Sequence, residues 1–172
     1  MNAAQAINAA WAAGVKVQID GVDLVLQAEA APPAAVIDAL AQHKSEVLAL
    51  LRPGEDGWSA EDWHSFFHRW TRIAKNIGGL SGSEAKSSAF MCCITEWLNR
   101  HPARQGTGRC LLCGEGDRLG DPLLPFGTAD GGHAWLHFVC WPEWHGHRRT
   151  EAVAALARMG IIEPGDSEQD ER

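Results

Sequence analysis

The chain has 172 residues, 45% of them apolar and 22% charged, which suits one or two globular domains and excludes a disordered chain. No apolar run approaches the roughly 18 residues of a membrane span, and Met1-Asn2-Ala3-Ala4 has neither the basic start nor the long apolar stretch of an export signal, so a cytoplasmic protein is expected. A formal charge of −7 excludes a general polyanion binder, and five cysteines without an export signal point to thiols kept reduced or held on metal rather than to a disulfide framework.

The first 13 residues are Ala-rich with Ile7, Ala10 and Trp11 at helical spacing, and Gly14 follows where a left-handed helix end is easiest. From Val15 to Leu26 apolar residues alternate on both sides of Asp20-Gly21. That pattern predicts a hairpin with Asp20 and Gly21 as the central turn residues, Val15, Val17 and Ile19 sharing one face and Val22, Leu24 and Leu26 likewise. Beyond Pro32-Pro33, segments 34–42 and 44–52 place Val36, Ile37, Leu40, Val47, Leu48 and Leu51 where two short helices would cover one hairpin face. The order is αββαα. A two-stranded ribbon in so small a unit keeps at least one edge open to another strand.

The runs Ala13-Gly14-Val15-Lys16-Val17, Ile19-Asp20-Gly21, Leu24-Val25-Leu26 and His43-Lys44-Ser45-Glu46-Val47-Leu48-Ala49-Leu50-Leu51 resemble the TubC-type N-terminal docking domain of bacterial nonribosomal peptide and polyketide synthetases, over about residues 1–52. The resemblance implies an αββαα fold, often dimeric, whose hairpin receives a peptide segment as an added strand. Val15, Val17, Ile19, Val22, Leu24 and Leu26 are then the partner-binding candidates, with self-association as a second use. No adenylation, condensation or carrier domain follows, which departs from that family.

Arg52-Pro53-Gly54-Glu55-Asp56-Gly57 reads as a linker, centred on residues 53–57. Ser59 then caps a helix with Glu61 and Asp62 in its first turn, and Trp63, Phe66, Phe67, Trp70, Ile73, Ala74 and Ile77 form its apolar stripe up to Gly78-Gly79. Ser81-Gly82-Ser83-Glu84 has the spacing of a capping box, and Ala85, Ala89, Phe90, Cys93, Ile94 and Trp97 mark a second stripe. A pair of antiparallel helices over 58–104 is expected. Adjacent Cys92 and Cys93 read as core thiols, since they leave a helix about 100° apart. His64 and His68 fall on the polar face, as do Arg69, Arg72 and Lys75. Only this middle stretch carries net positive charge, +2 against −4 for residues 1–57 and −5 for 105–172.

The sharpest constellation is Cys110-Leu111-Leu112-Cys113 and, 23 residues on, His137-Phe138-Val139-Cys140. Two-residue spacers let each pair offer two donors from one turn, and thiolate and imidazole at four tetrahedral corners suit zinc. A closed Cys3His shell leaves no corner for substrate or water, so one structural Zn2+ on Cys110, Cys113, His137 and Cys140 is expected, with His133 as the first substitute ligand and His145 and His147 behind it. Segments 122–127 and 133–137, separated by Asp130-Gly131-Gly132, read as a hairpin, and residues 141–159 as a helix with Ala152, Val153, Leu156 and Met159 inward. Knuckle, hairpin and helix make a treble-clef-like module over 105–162. The spacing and Trp135 resemble the first zinc site of a LIM domain, which implies protein binding, and the stretch from Trp63 to Trp141-Pro142 resembles uncharacterised bacterial proteins encoded among accessory genes. Residues 163–172, with five acids against one Arg, are expected to be a disordered tail.

The expected fold class is therefore α+β: a docking-like module, then a helical pair packed with a zinc module. No phosphate-cradling loop, paired nucleophile and base or open metal corner is legible, which leaves an enzyme the least supported class. The leading expectation is a non-enzymatic adaptor that captures a peptide on the hairpin edge. The alternative is a zinc-containing, nucleic-acid-associated accessory protein of a bacterial mobile or replication element, binding through Arg148 and Arg149 and the Arg69-Arg72-Lys75 face.

Overall fold

The structure is a computed structural model that describes residues 1–103, 108–127 and 133–165. The expected turn at Asp130-Gly131-Gly132 and most of the acidic tail lie outside the described residues. Helices and two small antiparallel sheets mix, in keeping with an α+β chain.

Helix α1 (Ala3–Ala12) begins on a capping box in which Asn2 Oδ1 accepts the Gln5 N–H and Gln5 Oε1 accepts the Asn2 N–H, both at 2.9 Å. It stops at Gly14, whose φ of 71° only glycine adopts freely. Strands β1 (Lys16–Asp20) and β2 (Asp23–Gln27) pair with Val17 opposite Leu26, Ile19 opposite Leu24 and Asp20 opposite Asp23. The turn is therefore Gly21-Val22 and not the expected Asp20-Gly21. This register puts the left-handed position, φ 61°, on Gly21 and spares Asp20 that strain, while Val22 is left 73% exposed at the tip. Asp20 faces another acid across the ladder, and Lys44 offsets that repulsion by pairing with Asp23.

Helices α2 (Ala34–Gln42) and α3 (Lys44–Leu51) adjoin at His43 and cover α1 and one sheet face, around a core of Ile7, Ala10, Val15, Val17, Leu40 and Val47. Ile37, expected inward, is exposed, because the nine-residue α2 turns Val36, Ala39 and Leu40 inward instead.

Helix α4 (Ala60–Asn76) starts at the expected N-cap Ser59, which pairs with Asp62 in a capping box, and α5 (Gly82–Arg100) starts on the expected Ser81/Glu84 box. Ile77, the last residue of the expected stripe, is the C-cap just beyond α4 and is exposed. Strands β3 (Leu123–Phe126) and β4 (Ala134–His137) pair antiparallel, and a 3-10 turn, Phe138–Cys140, leads into α6 (Trp141–Arg158). Trp63, Phe90, Cys93, Ile94 and Trp97 share one core with Ala152 and Leu156 of α6, so the helical pair and α6 bury one continuous surface. Cys93 is fully buried there, and burial pushes its thiol up to about 12, which keeps it inert.

The expected linker is a tied turn. Gly54 N–H donates to the Trp58 carbonyl at 2.8 Å, Trp58 N–H to Asp56 Oδ1 at 3.1 Å, and Arg100 Nη1 reaches the Asp56 carbonyl at 3.3 Å while its guanidinium lies 3.6 Å over the Trp58 ring. The N-terminal module accordingly folds back on the helices. Trp11 of α1 meets His64 of α4 edge-on with ring centroids 4.6 Å apart, and Asn8 Nδ2 donates to the Gly160 carbonyl at 3.4 Å. No helix among the described residues is long and apolar enough to cross a membrane.

Candidate metal centre

Four donors converge between the turn before β3 and the start of α6. Cys110 and Cys113 sit on a tight turn closed by the Gly114 N–H on the Cys110 carbonyl at 2.9 Å, with Gly114 at φ 75°. Cys110 N–H donates to the Glu115 carbonyl at 2.8 Å and Leu111 N–H to the Trp135 carbonyl at 2.9 Å, which lashes this turn to β4. His137 ends β4 and Cys140 closes the 3-10 turn, so the second pair is presented by a strand-to-helix junction.

The three sulfurs and one ring nitrogen all lie within 4.8 Å of one another. A tetrahedral ion with sulfur at ~2.3 Å and nitrogen at ~2.0 Å sets sulfur–nitrogen separations of about 3.6 Å, and Cys113 Sγ stands 3.4 Å from His137 Nδ1. His137 is fully buried and its Nε2 donates to the Gly116 carbonyl at 2.9 Å, which fixes the tautomer that turns a bare Nδ1 toward the sulfurs. The donor set can therefore hold a metal ion.

Electrostatics favour a cation. Burial raises the Cys110 thiol, but the N–H groups of Cys113, His137 and Leu112 converging on its sulfur outweigh that and bring it down to about 6. Burial and the neighbouring Cys110 and Cys113 thiols push Cys140 up to about 12. Crowded thiols with one favoured thiolate relieve that repulsion by binding a positive ion. Arg118 Nη2, also paired with Glu115, donates to the exposed Cys113 sulfur at 3.6 Å.

His137 stands among the donors and the expected substitute His133 does not. The His133 ring is exposed and lies edge-on to Trp135 at 6.4 Å. Neither His145, stacked on Trp141 at 4.8 Å, nor His147 joins the cluster. The Gly116 carbonyl was not legible as a partner of His137, because 21 residues separate them.

Two other groups of candidates change meaning. Val15 and Val17 are 1% exposed and Ile19, Leu24 and Leu26 pack against the module's own core, so of the six hairpin side chains only Val22 is open. Beyond these six, the hairpin keeps free its backbone edges and Val25 of β2. Arg148 is drawn inward: it pairs with Glu151, donates to the His101 carbonyl and lies 5.1 Å over the Trp97 ring, whereas Arg149 stays exposed near Met91. The two do not form one open basic patch. His64, expected on the polar face, is buried, with Nε2 on the Met159 carbonyl at 2.8 Å, because the N-terminal module covers that side of α4. Burial lowers its pKa below the usual histidine value, partly against the Met159 carbonyl, which raises it. Arg69, Arg72 and Lys75 face solvent as expected.

No family model, curated protein or solved structure matches this chain.

Proposed function

We propose that this protein is a non-enzymatic adaptor: a docking module of the TubC type over residues 1–52 captures an extended peptide on its hairpin, and a treble-clef-like unit built on one structural zinc presents a second protein-binding surface. The observation that carries the reading is the hairpin itself, two strands with no third partner among the described residues, whose backbone edges are open and which leave Val22 and Val25 exposed while Val17, Ile19, Leu24 and Leu26 turn into the module's own core. In the observed register Asp20 and Asp23 close the turn, so the N–H groups of Ile19 on β1 and Leu24 on β2 point away from the ladder. An added strand would bond to one of these rows.

Zinc is the metal the donor chemistry supports. Three thiols and an imidazole within 4.8 Å of one another suit a closed soft shell, which would leave the ion a scaffolding task and no open coordination position.

The test is selection of extended peptides on the immobilised whole chain, followed by amide exchange of the complex. Protection confined to residues 16–27 supports capture by strand addition. Ile19→Pro and Leu24→Pro each remove one outward N–H, and the variant that loses binding names the edge used. Protection elsewhere with the hairpin unchanged defeats the proposal.

A further inference from the structure

The four donors of the metal cluster are not equally sheltered. Cys110, His137 and Cys140 are buried, whereas Cys113 is exposed, and it is the only exposed thiol of the chain's five, since Cys93 is buried and Cys92 half-buried. A second contact places its sulfur at the surface. Arg118 Nη2 donates to Cys113 Sγ at 3.6 Å from a side chain that is itself 38% exposed and is held there by the still more open Glu115.

An exposed sulfur among buried ones gives a small reagent one point of attack, and a second thiol stands within its reach. Cys110 is separated from Cys113 by two residues on one tight turn, closed by the Gly114 N–H on the Cys110 carbonyl at 2.9 Å, and its sulfur lies within 4.8 Å of that of Cys113. Cys140 reaches the cluster from the strand-to-helix junction instead. A buried thiol beside an exposed one traps the first oxidation product as a disulfide before it runs on to the irreversible acids.

We propose that Cys113 is a modification site for small peroxides, and that its oxidation, trapped by Cys110, dismantles the cluster reversibly. The inference rests on the reading of this cluster as a closed zinc shell. In the first step the Cys113 sulfur gives an electron pair to one peroxide oxygen, the O–O bond breaks, and a sulfenic acid and one water form. In the second the Cys110 sulfur attacks that of Cys113, the S–O bond breaks, and a second water leaves as the disulfide forms. Two electrons pass from the pair of thiols to one peroxide, and both thiol protons leave in the waters. His137 and Cys140 then remain as donors, too few for a structural site, so the segment that the ion orders loses its support. The N-terminal module contains no cysteine and has a core of its own, which leaves the hairpin untouched.

The experiment uses the whole chain, with its zinc content measured before any oxidant is added. Hydrogen peroxide follows, metal release is read with a chromogenic chelator, and the cysteine products are mapped by mass spectrometry. Release of one zinc per peroxide consumed is expected, with Cys110–Cys113 as the first disulfide, and a phosphine reductant with added zinc restores the original content. Cys92→Ser, at the next most accessible thiol, leaves the rate of release unchanged and avoids the loss of fold that a ligand substitution brings. Zinc retained in millimolar peroxide, release that Cys92→Ser abolishes, a first product that omits Cys113, or a bridge from Cys113 to Cys140 overturns the inference and leaves the zinc reading standing. A chain that carries no zinc at the outset defeats both.

Discussion

Withdrawing the metal from the Cys110-Cys113-His137-Cys140 cluster should unfold the segment around it and spare the rest. Among the described residues, Leu136 is the only large aliphatic fully buried near the site, and Ala134 the only other buried apolar residue that is not a ligand. So few buried apolar side chains do not repay the conformational entropy of ordering the segment, about 1 kcal/mol per residue, and the ~10–16 kcal/mol that a structural zinc supplies would make up much of the difference. The assay is chelation of the purified protein, with loss confirmed by elemental analysis, followed by residue-resolved amide exchange. Amides of 109–127 and 134–140 should exchange at once, while those of α1, α4 and α5, packed in two other cores, keep their protection. A verified metal-free chain with β3 and β4 still protected would refute the reasoning, as would a Cys113→Ser variant that holds its ion as tightly as the parent.

Three further outcomes are expected. Gly160→Ala places a Cβ 2.6 Å from Asn8 Nδ2 and 3.3 Å from the Ala4 Cβ, at a φ of 82°, so it should cost about 1–2 kcal/mol in chemical denaturation and raise amide exchange in α1. The pKa of His64 is lowered by burial, against the Met159 carbonyl, so the unfolded chain takes up the proton first as pH falls. The contribution of His64 is therefore complete above the unfolded value of 6.5 and is lost as pH drops through 6.5 toward the lower folded value, and His64→Gln should flatten the stability profile across that window. Arg148→Met, which removes the bond to the His101 carbonyl from a side chain only 16% exposed, should cost about 2 kcal/mol, whereas Arg149→Ala should stay within about 0.5 kcal/mol in the same melt.

The helix starts were legible because capping is local: Ser59 and Asp62, or Ser81 and Glu84, satisfy each other three residues apart. The metal ligands were legible for the same reason, each pair being a two-residue spacing within one turn. His137 was preferred to His133 on its two-residue spacing to Cys140, but the Gly116 carbonyl that orients its ring is a partner which local sequence does not bring near. The hairpin register shows how two local rules compete, since the apolar alternation of Val17, Ile19, Leu24 and Leu26 is served equally by a turn at Asp20-Gly21 and by one at Gly21-Val22. Backbone strain decides in favour of the second.

His64 shows where periodicity alone stops. Its place beside Trp63 and one turn before His68 reads as the solvent side of an amphipathic helix. What buries it is α1, some fifty residues earlier, through Trp11, together with the Met159 carbonyl almost a hundred residues later. A turn tied by Asp56 to Trp58 and Arg100, where composition suggested a loose linker, supports that approach. Such a joint constrains the adaptor reading: α1 is committed to the helices, so a partner strand has to be accommodated on the hairpin without α1 leaving them. The β2 edge meets this condition more easily than β1, because beside β1 a hollow is already bounded by Leu51 of α3 and Glu61 of α4. Loss of binding in Leu24→Pro with retention in Ile19→Pro is accordingly the expected pattern, and the reverse would mean that the module leaves the helices before it binds.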